Sequence, residues 1–100
     1  TFGYCCLGAV GVISVASHLV GDRMNRMVGL IEQGDLSGAR RIHEELLPIY
    51  RALFIVSNPI PVKAAMALVG QPAGPPRLPL VPASEDEITQ VKAAMQQVGI

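Results

Sequence analysis

The run Gly11-Val12-Ile13-Ser14-Val15 is short, β-branched and flanked by glycine, and it lies in an opening, residues 1–21, that holds no Asp, Glu, Lys or Arg. A strand buried on both faces reads this way, as in a parallel sheet whose two sides are covered by helices. Beyond it the apolar spacing turns helical. A lone parallel strand leaves both of its backbone edges unpaired. The expectation is therefore one buried strand and a helical tail, the end of a larger α/β protein.

The same opening is long enough to span a bilayer. It contains Gly3, Gly8, Gly11 and Gly21, the polar Ser14, Ser17 and His18, and no basic leading segment, so it fits neither a membrane helix nor a signal peptide well. A helical interaction module with an N-terminal membrane anchor stands as the rival reading from another class.

Composition narrows the choice further. A length of 100 residues suits one small domain or a piece of a larger one. Half of the residues are apolar, which excludes a disordered tail. Eight basic and eight acidic residues cancel, and the pI is near 6.6, which argues against a nucleic-acid binder. With no Trp, two Tyr and two Phe, a base-stacking platform is not expected. Cys5 and Cys6 are adjacent, cannot frame a small domain with disulfides, and lack zinc spacing.

Helical periodicity begins with Val20, Met24, Met27, Val28 and Ile31, which predict a helix over residues 20–33 with Asp22 in its first turn and Gly34 ending it. Asp35 suits the cap of a second helix whose inner face is Leu36, Ala39, Ile42, His43, Leu46, Leu47, Tyr50, Leu53 and Phe54. Arg40–Glu44 and Arg41–Glu45 are expected i,i+4 pairs, and Pro48 should kink this helix. Asn58-Pro59-Ile60-Pro61 breaks the chain, and Pro61 opens a short third helix with Val62, Ala65, Met66 and Val69 inward and Gly70 at its end. Five prolines between Gln71 and Ala83 predict an extended crossing, pinned to a surface through Leu78, Leu80 and Val81. Ser84 and Glu87 form a capping box for a last helix that faces inward through Ile88, Val91, Met95 and Val98.

No catalytic constellation emerges from these residues. His18 and His43 lack an i,i+4 metal partner; His18 suits the start of a helix and His43 a core boundary. Glu85, Asp86 and Glu87 fit capping and the helix dipole better than acid–base work. Lys63 and Lys92 fall on polar helix faces and are expected to be solvated, whereas a Schiff-base lysine needs a dry pocket. The methionines follow helical spacing, as core residues do. Cys5 and Cys6 have no basic neighbour to activate a thiolate. The G-x-x-G of Gly8 to Gly11 precedes the strand, the wrong order for a phosphate loop.

Several segments together carry a resemblance: Gly11-Val12-Ile13-Ser14-Val15-Ala16-Ser17; Glu32-Gln33-Gly34-Asp35-Leu36-Ser37-Gly38-Ala39-Arg40; Leu46-Leu47-Pro48; Asn58-Pro59-Ile60-Pro61-Val62-Lys63; and Arg77-Leu78-Pro79-Leu80-Val81-Pro82. In this order, over residues 7–100, the chain resembles the C-terminal part of the dihydrodipicolinate synthase family. N-P-I-P-V-K followed by R-L-P-L-V-P sets that family apart from the N-acetylneuraminate lyases and the keto-deoxy sugar acid aldolases. Residues 1–6 match poorly.

The resemblance implies an α/β fold: the C-terminal part of a TIM (β/α)8 barrel, with residues 11–15 as its last strand and 20–33 as its last helix, plus a three-helix C-terminal extension. The barrel end would be residues 1–34 and the extension 35–100. A whole barrel needs about 250 residues. The family condenses pyruvate with aspartate semialdehyde through a lysine Schiff base, in lysine and diaminopimelate biosynthesis. It works in the cytoplasm, commonly as a homotetramer, without metal or organic cofactor and without nucleic acid or membrane. Its catalytic lysine and tyrosine relay come from earlier strands, so the chain alone should hold no catalytic residue and be inactive. One position carries over: Ile13, whose main-chain carbonyl lies near the pyruvate. Leu7 matches a dimer–dimer contact. Another pyruvate-dependent Schiff-base aldolase is the alternative within the same fold.

Overall fold

The computed structural model describes residues 1–100 and contains five helices and no strand: α1 Phe2–Cys6, α2 Ser17–Glu32, α3 Leu36–Ala52, α4 Ile60–Leu68 and α5 Glu85–Gln97. They fall into two compact units, residues 1–47 and 48–100, with α3 contributing to both.

The expected strand at 11–15 is not formed. Val10, Gly11, Val12 and Ile13 make no backbone–backbone hydrogen bond, and Ile13 and Val10 are fully or almost fully exposed. The reason is physical. A strand exists only through the ladders it shares with neighbours, and this chain supplies no second strand. A short helix, α1, precedes it; residues 1–6 gave no periodic signal long enough to foresee one.

In the first unit, α1 packs on α2, and Cys5 of α1 is buried. Helix α2 begins earlier than its apolar pattern, at Ser17, because it includes a first turn that ends at Val20, whose φ of −129° and ψ of 26° are not helical. Asp22 therefore opens the segment beyond this kink, where it faces the positive end of the local dipole. Val20, Met24 and Met27 are buried, as the spacing predicts. Gly34 has φ of 83°, and with it the Asp35 N–H reaches the Leu30 carbonyl at 2.9 Å and the Gly34 N–H the Ile31 carbonyl at 3.0 Å. Those two bonds satisfy carbonyls the helix would otherwise leave open, and only glycine adopts this φ without strain.

Asp35 caps α3: its Oδ1 accepts from the Gly38 N–H at 2.9 Å. Ala39 and Leu46 are buried on the inner side, His43 is half-buried, and its ring stacks on Phe2 at 5.6 Å. Arg40 Nε pairs with Glu44 at 2.8 Å as expected. Glu45 does not take Arg41; it meets Arg23 of α2 at 2.7 Å, since a partner from a packed helix competes with the weaker i,i+4 order. At the cap a sharp contrast is expected. Asp35→Ala should lower stability by about 1 kcal/mol. Gly38→Ala should change it by less than about 0.5 kcal/mol, because the added Cβ displaces the Asp35 carboxylate while alanine's helix propensity offsets the loss. Urea midpoints of the two variants check both.

The second unit is built on Ile49 and Ala52 from the end of α3 and Leu53 just after it, on Ile60, Pro61, Val62 and Ala65 from α4, and on Val91, Ala94, Met95 and Val98 around α5. Helix α3 runs through Pro48 as one element and stops at Ala52, so Phe54 lies beyond it and is 63% exposed. Leu36, on the first turn, is also exposed. Of the predicted α4 stripe Val62 and Ala65 are buried, joined at the first turn by Ile60 and Pro61, whereas Val69, at the C-cap, is exposed. Helices α4 and α5 pack on one another. The capping box is complete, with the Ser84 N–H donating to Glu87 Oε2 at 2.8 Å and the Glu87 N–H to Ser84 Oγ at 3.3 Å. Between α4 and α5 the crossing is irregular; of the three residues expected to pin it Leu80 is half-buried, whereas Leu78 is 86% and Val81 58% exposed.

Candidate functional site

The segment that leads into α2 carries the one site position expected from the sequence. Three elements define it. Helix α1 closes at Gly8, whose φ is 105°. Residues 10–13 then run with bare main-chain groups. A serine cluster ends the run: Ser17 N–H and Ser17 Oγ both donate to the Ser14 carbonyl, at 3.1 and 2.6 Å, and the Ala16 N–H donates to Ser14 Oγ at 3.2 Å. Serine side chains compete well for main-chain groups, which is why the irregular run ends at Ser14 and a helix starts at Ser17.

Ile13 sits at the end of the bare run, immediately before this turn. Its side chain is fully exposed, and its carbonyl has no hydrogen-bond partner within the chain. Such a carbonyl can accept one proton-bearing group and help orient it. It cannot act as acid, base or nucleophile. His18, in the first turn of α2, is exposed and donates its main-chain N–H to the Val15 carbonyl at 3.4 Å. Cys5 is buried, Cys6 exposed, and neither forms a disulfide.

The two lysines differ. Lys92 is exposed on α5. Lys63 was expected to be solvated, but its Nζ donates to the carbonyls of Ala73, Gly74 and Pro75 at 3.0, 3.3 and 3.3 Å. No local pattern announces such a contact, since it joins a helix to an irregular segment ten residues on. Glu85, Asp86 and Glu87 occupy the first turn of α5, where the capping reading places them. No group of three His, Cys, Asp or Glu gathers where it could hold a metal ion. No helix is long and apolar enough to cross a membrane, and residues 1–21 are divided between α1, an irregular run and the start of α2.

Known proteins resemble this arrangement closely. The model of the Dihydrodipicolinate synthetase family matches residues 2–98, so the match includes the residues before Leu7 that looked foreign to it. The 4-hydroxy-tetrahydrodipicolinate synthase of Moorella thermoacetica is 45% identical over 100 residues, all of this chain and 34% of the relative. That of Thermosynechococcus vestitus is 48% identical over the same extent. Among solved structures, the dihydrodipicolinate synthase of Thermotoga maritima aligns with a TM-score of 0.95 at 40% identity, covering 99% of this chain and 34% of that one. The chain thus spans about a third of the length of the relatives it matches. None of these relatives favours a membrane-anchored module or a different aldolase. With its sequence matched almost from end to end and its backbone reproduced in a solved member, the chain belongs to the dihydrodipicolinate synthetase family.

Proposed function

We propose that the chain is the C-terminal part of a 4-hydroxy-tetrahydrodipicolinate synthase, a cytoplasmic lyase that condenses pyruvate with aspartate semialdehyde on the route to diaminopimelate and lysine. The observation that carries this reading is the extent of the likeness: 40% identity and a TM-score of 0.95 over 99% of the chain, against a third of a synthase. In this reading residues 1–34 end the (β/α)8 barrel, residues 11–15 become its eighth strand once neighbours flank them, α2 is its eighth helix, and residues 35–100 are the helical extension. The bare main chain of residues 10–13 supports it, because those groups are what a central parallel strand offers to both sides.

The chemistry then divides between this segment and the rest of the barrel. A lysine from an earlier strand attacks the pyruvate ketone, loses water and forms an imine. Loss of a methyl proton gives the enamine, whose carbon bonds to the aldehyde carbon of aspartate semialdehyde, and the aldehyde oxygen takes up a proton. No metal or organic cofactor is required. The part of this segment is positional: the Ile13 carbonyl lies in the middle of the proposed strand, whose C-terminal end faces the side where barrel sites lie, and accepts a hydrogen bond beside the imine. Lys63 is engaged by three carbonyls and Lys92 is exposed, so neither has the dry surroundings that make an amine nucleophilic. Leu7, 87% exposed here, is the residue assigned to a contact between dimers of a homotetramer. One similar solved structure is described as the first monomeric dihydrodipicolinate synthase variant.

Borohydride reduction in the presence of pyruvate tests the assignment. The 100-residue chain alone should gain no mass corresponding to a reduced pyruvate adduct. An adduct on Lys63 or Lys92 would refute it.

A further inference from the structure

Lys63 stands on the fourth residue of α4, near the end where the helix dipole disfavours a cation. The helix itself therefore gives no reason for a lysine there. The reason lies in the crossing. Three successive carbonyls, of Ala73, Gly74 and Pro75, converge on Nζ at 3.0–3.3 Å. An ammonium carries three N–H donors, so the number matches. Convergence needs a backbone reversal, and Gly74 supplies it with φ of 73°.

Little else holds this stretch. Residues 72–76 make no backbone–backbone hydrogen bond, and all but Pro76 are exposed. Beneath lies a cleft of about 180 Å³ with an apolar lining that includes Ile60, Ala64, Pro76 and Ile88 and offers the cation no carboxylate. The contact is thus made by carbonyl dipoles alone. Hydrogen bonds with one charged partner are stronger than neutral ones, so this cluster outweighs the weak packing around it.

We propose that residues 73–75 form a carbonyl cradle for a primary ammonium group, that Lys63 is its resident cation, and that with the lysine side chain shortened the cradle takes a small alkylammonium ion from solution. Occupancy of the cradle fixes the course of the crossing as far as Arg77 and Leu78. The inference is independent of the catalytic reading.

The test uses the intact protein that carries this chain, with trypsin cleavage after the exposed Arg77 as readout. Rates are normalised to a free peptide of residues 71–83 in the same buffer, which removes any effect of the added amine on the protease. Lys63→Ala should raise the cleavage rate about tenfold, the counterpart of losing one charge-assisted hydrogen bond. Added n-propylammonium should return the rate toward that of the parent protein and saturate. Tetramethylammonium, which has no N–H, should not. An unchanged rate in Lys63→Ala, or equal rescue by both cations, overturns the proposal. Should Lys63→Ala fail to fold, Gly74→Ala keeps the test open: it leaves α4 intact and has free space for its Cβ, yet strains the positive φ. It should raise cleavage several-fold, and an unchanged rate would again overturn the proposal.

Discussion

Val12→Pro should leave the fold of the 100-residue chain unchanged and destroy that of the intact protein carrying it. In the chain alone, the Val12 N–H makes no backbone bond and the side chain is 46% exposed, so proline removes nothing. In the proposed barrel the same residue lies inside a strand paired on both edges. Proline there deletes a ladder bond and sets its ring against the neighbouring strand, at a cost of about 3 kcal/mol or more. That is a large share of the stability of any domain. Helical circular dichroism of the short chain and soluble yield with condensation activity of the intact protein are the two readouts. Tolerance in both would mean that residues 11–15 are not a buried strand.

The second large effect is expected at Leu53. Its side chain is fully buried just after the end of α3, beside Ile49, which is equally buried, and its N–H closes the last turn on the Ile49 carbonyl at 3.1 Å. Leu53→Ala removes a well-packed apolar side chain and leaves a cavity, at a cost of about 2–5 kcal/mol. Phe54, next in sequence, is 63% exposed, so Phe54→Ala should cost far less in the same urea titration. The pair matters because the sequence pattern alone treats both as inner residues. A cost at Phe54 comparable with that at Leu53 would show that the helix continues further than Ala52.

The difference between these two residues shows where sequence reasoning succeeds. Signals local to one turn were legible: the Asp35 cap, the Ser84–Glu87 box, and the glycines that end helices all act within a few residues, and all are present. Signals that need a second element were not. Glu45 chooses between Arg41 on its own helix and Arg23 on another, and only packing decides. The Lys63 cradle joins α4 to a loop, and no spacing rule encodes it. The segment 11–15 is the extreme case: its composition reads as a strand, but a strand needs partners to pair with and the chain forms none. The proposed site rests on family motifs rather than on any local signal. Ile13 is a carbonyl with a position and no side-chain chemistry of its own.

Co-expression puts the central claim to the most direct test. The chain is produced together with the part of the Moorella thermoacetica relative that lies outside the matched third, and the mixture is assayed for condensation of pyruvate with aspartate semialdehyde. Activity should appear only when both pieces are present, with the borohydride-trapped pyruvate on the larger piece. Turnover by the 100-residue chain alone, or a trapped adduct on it, would contradict the account.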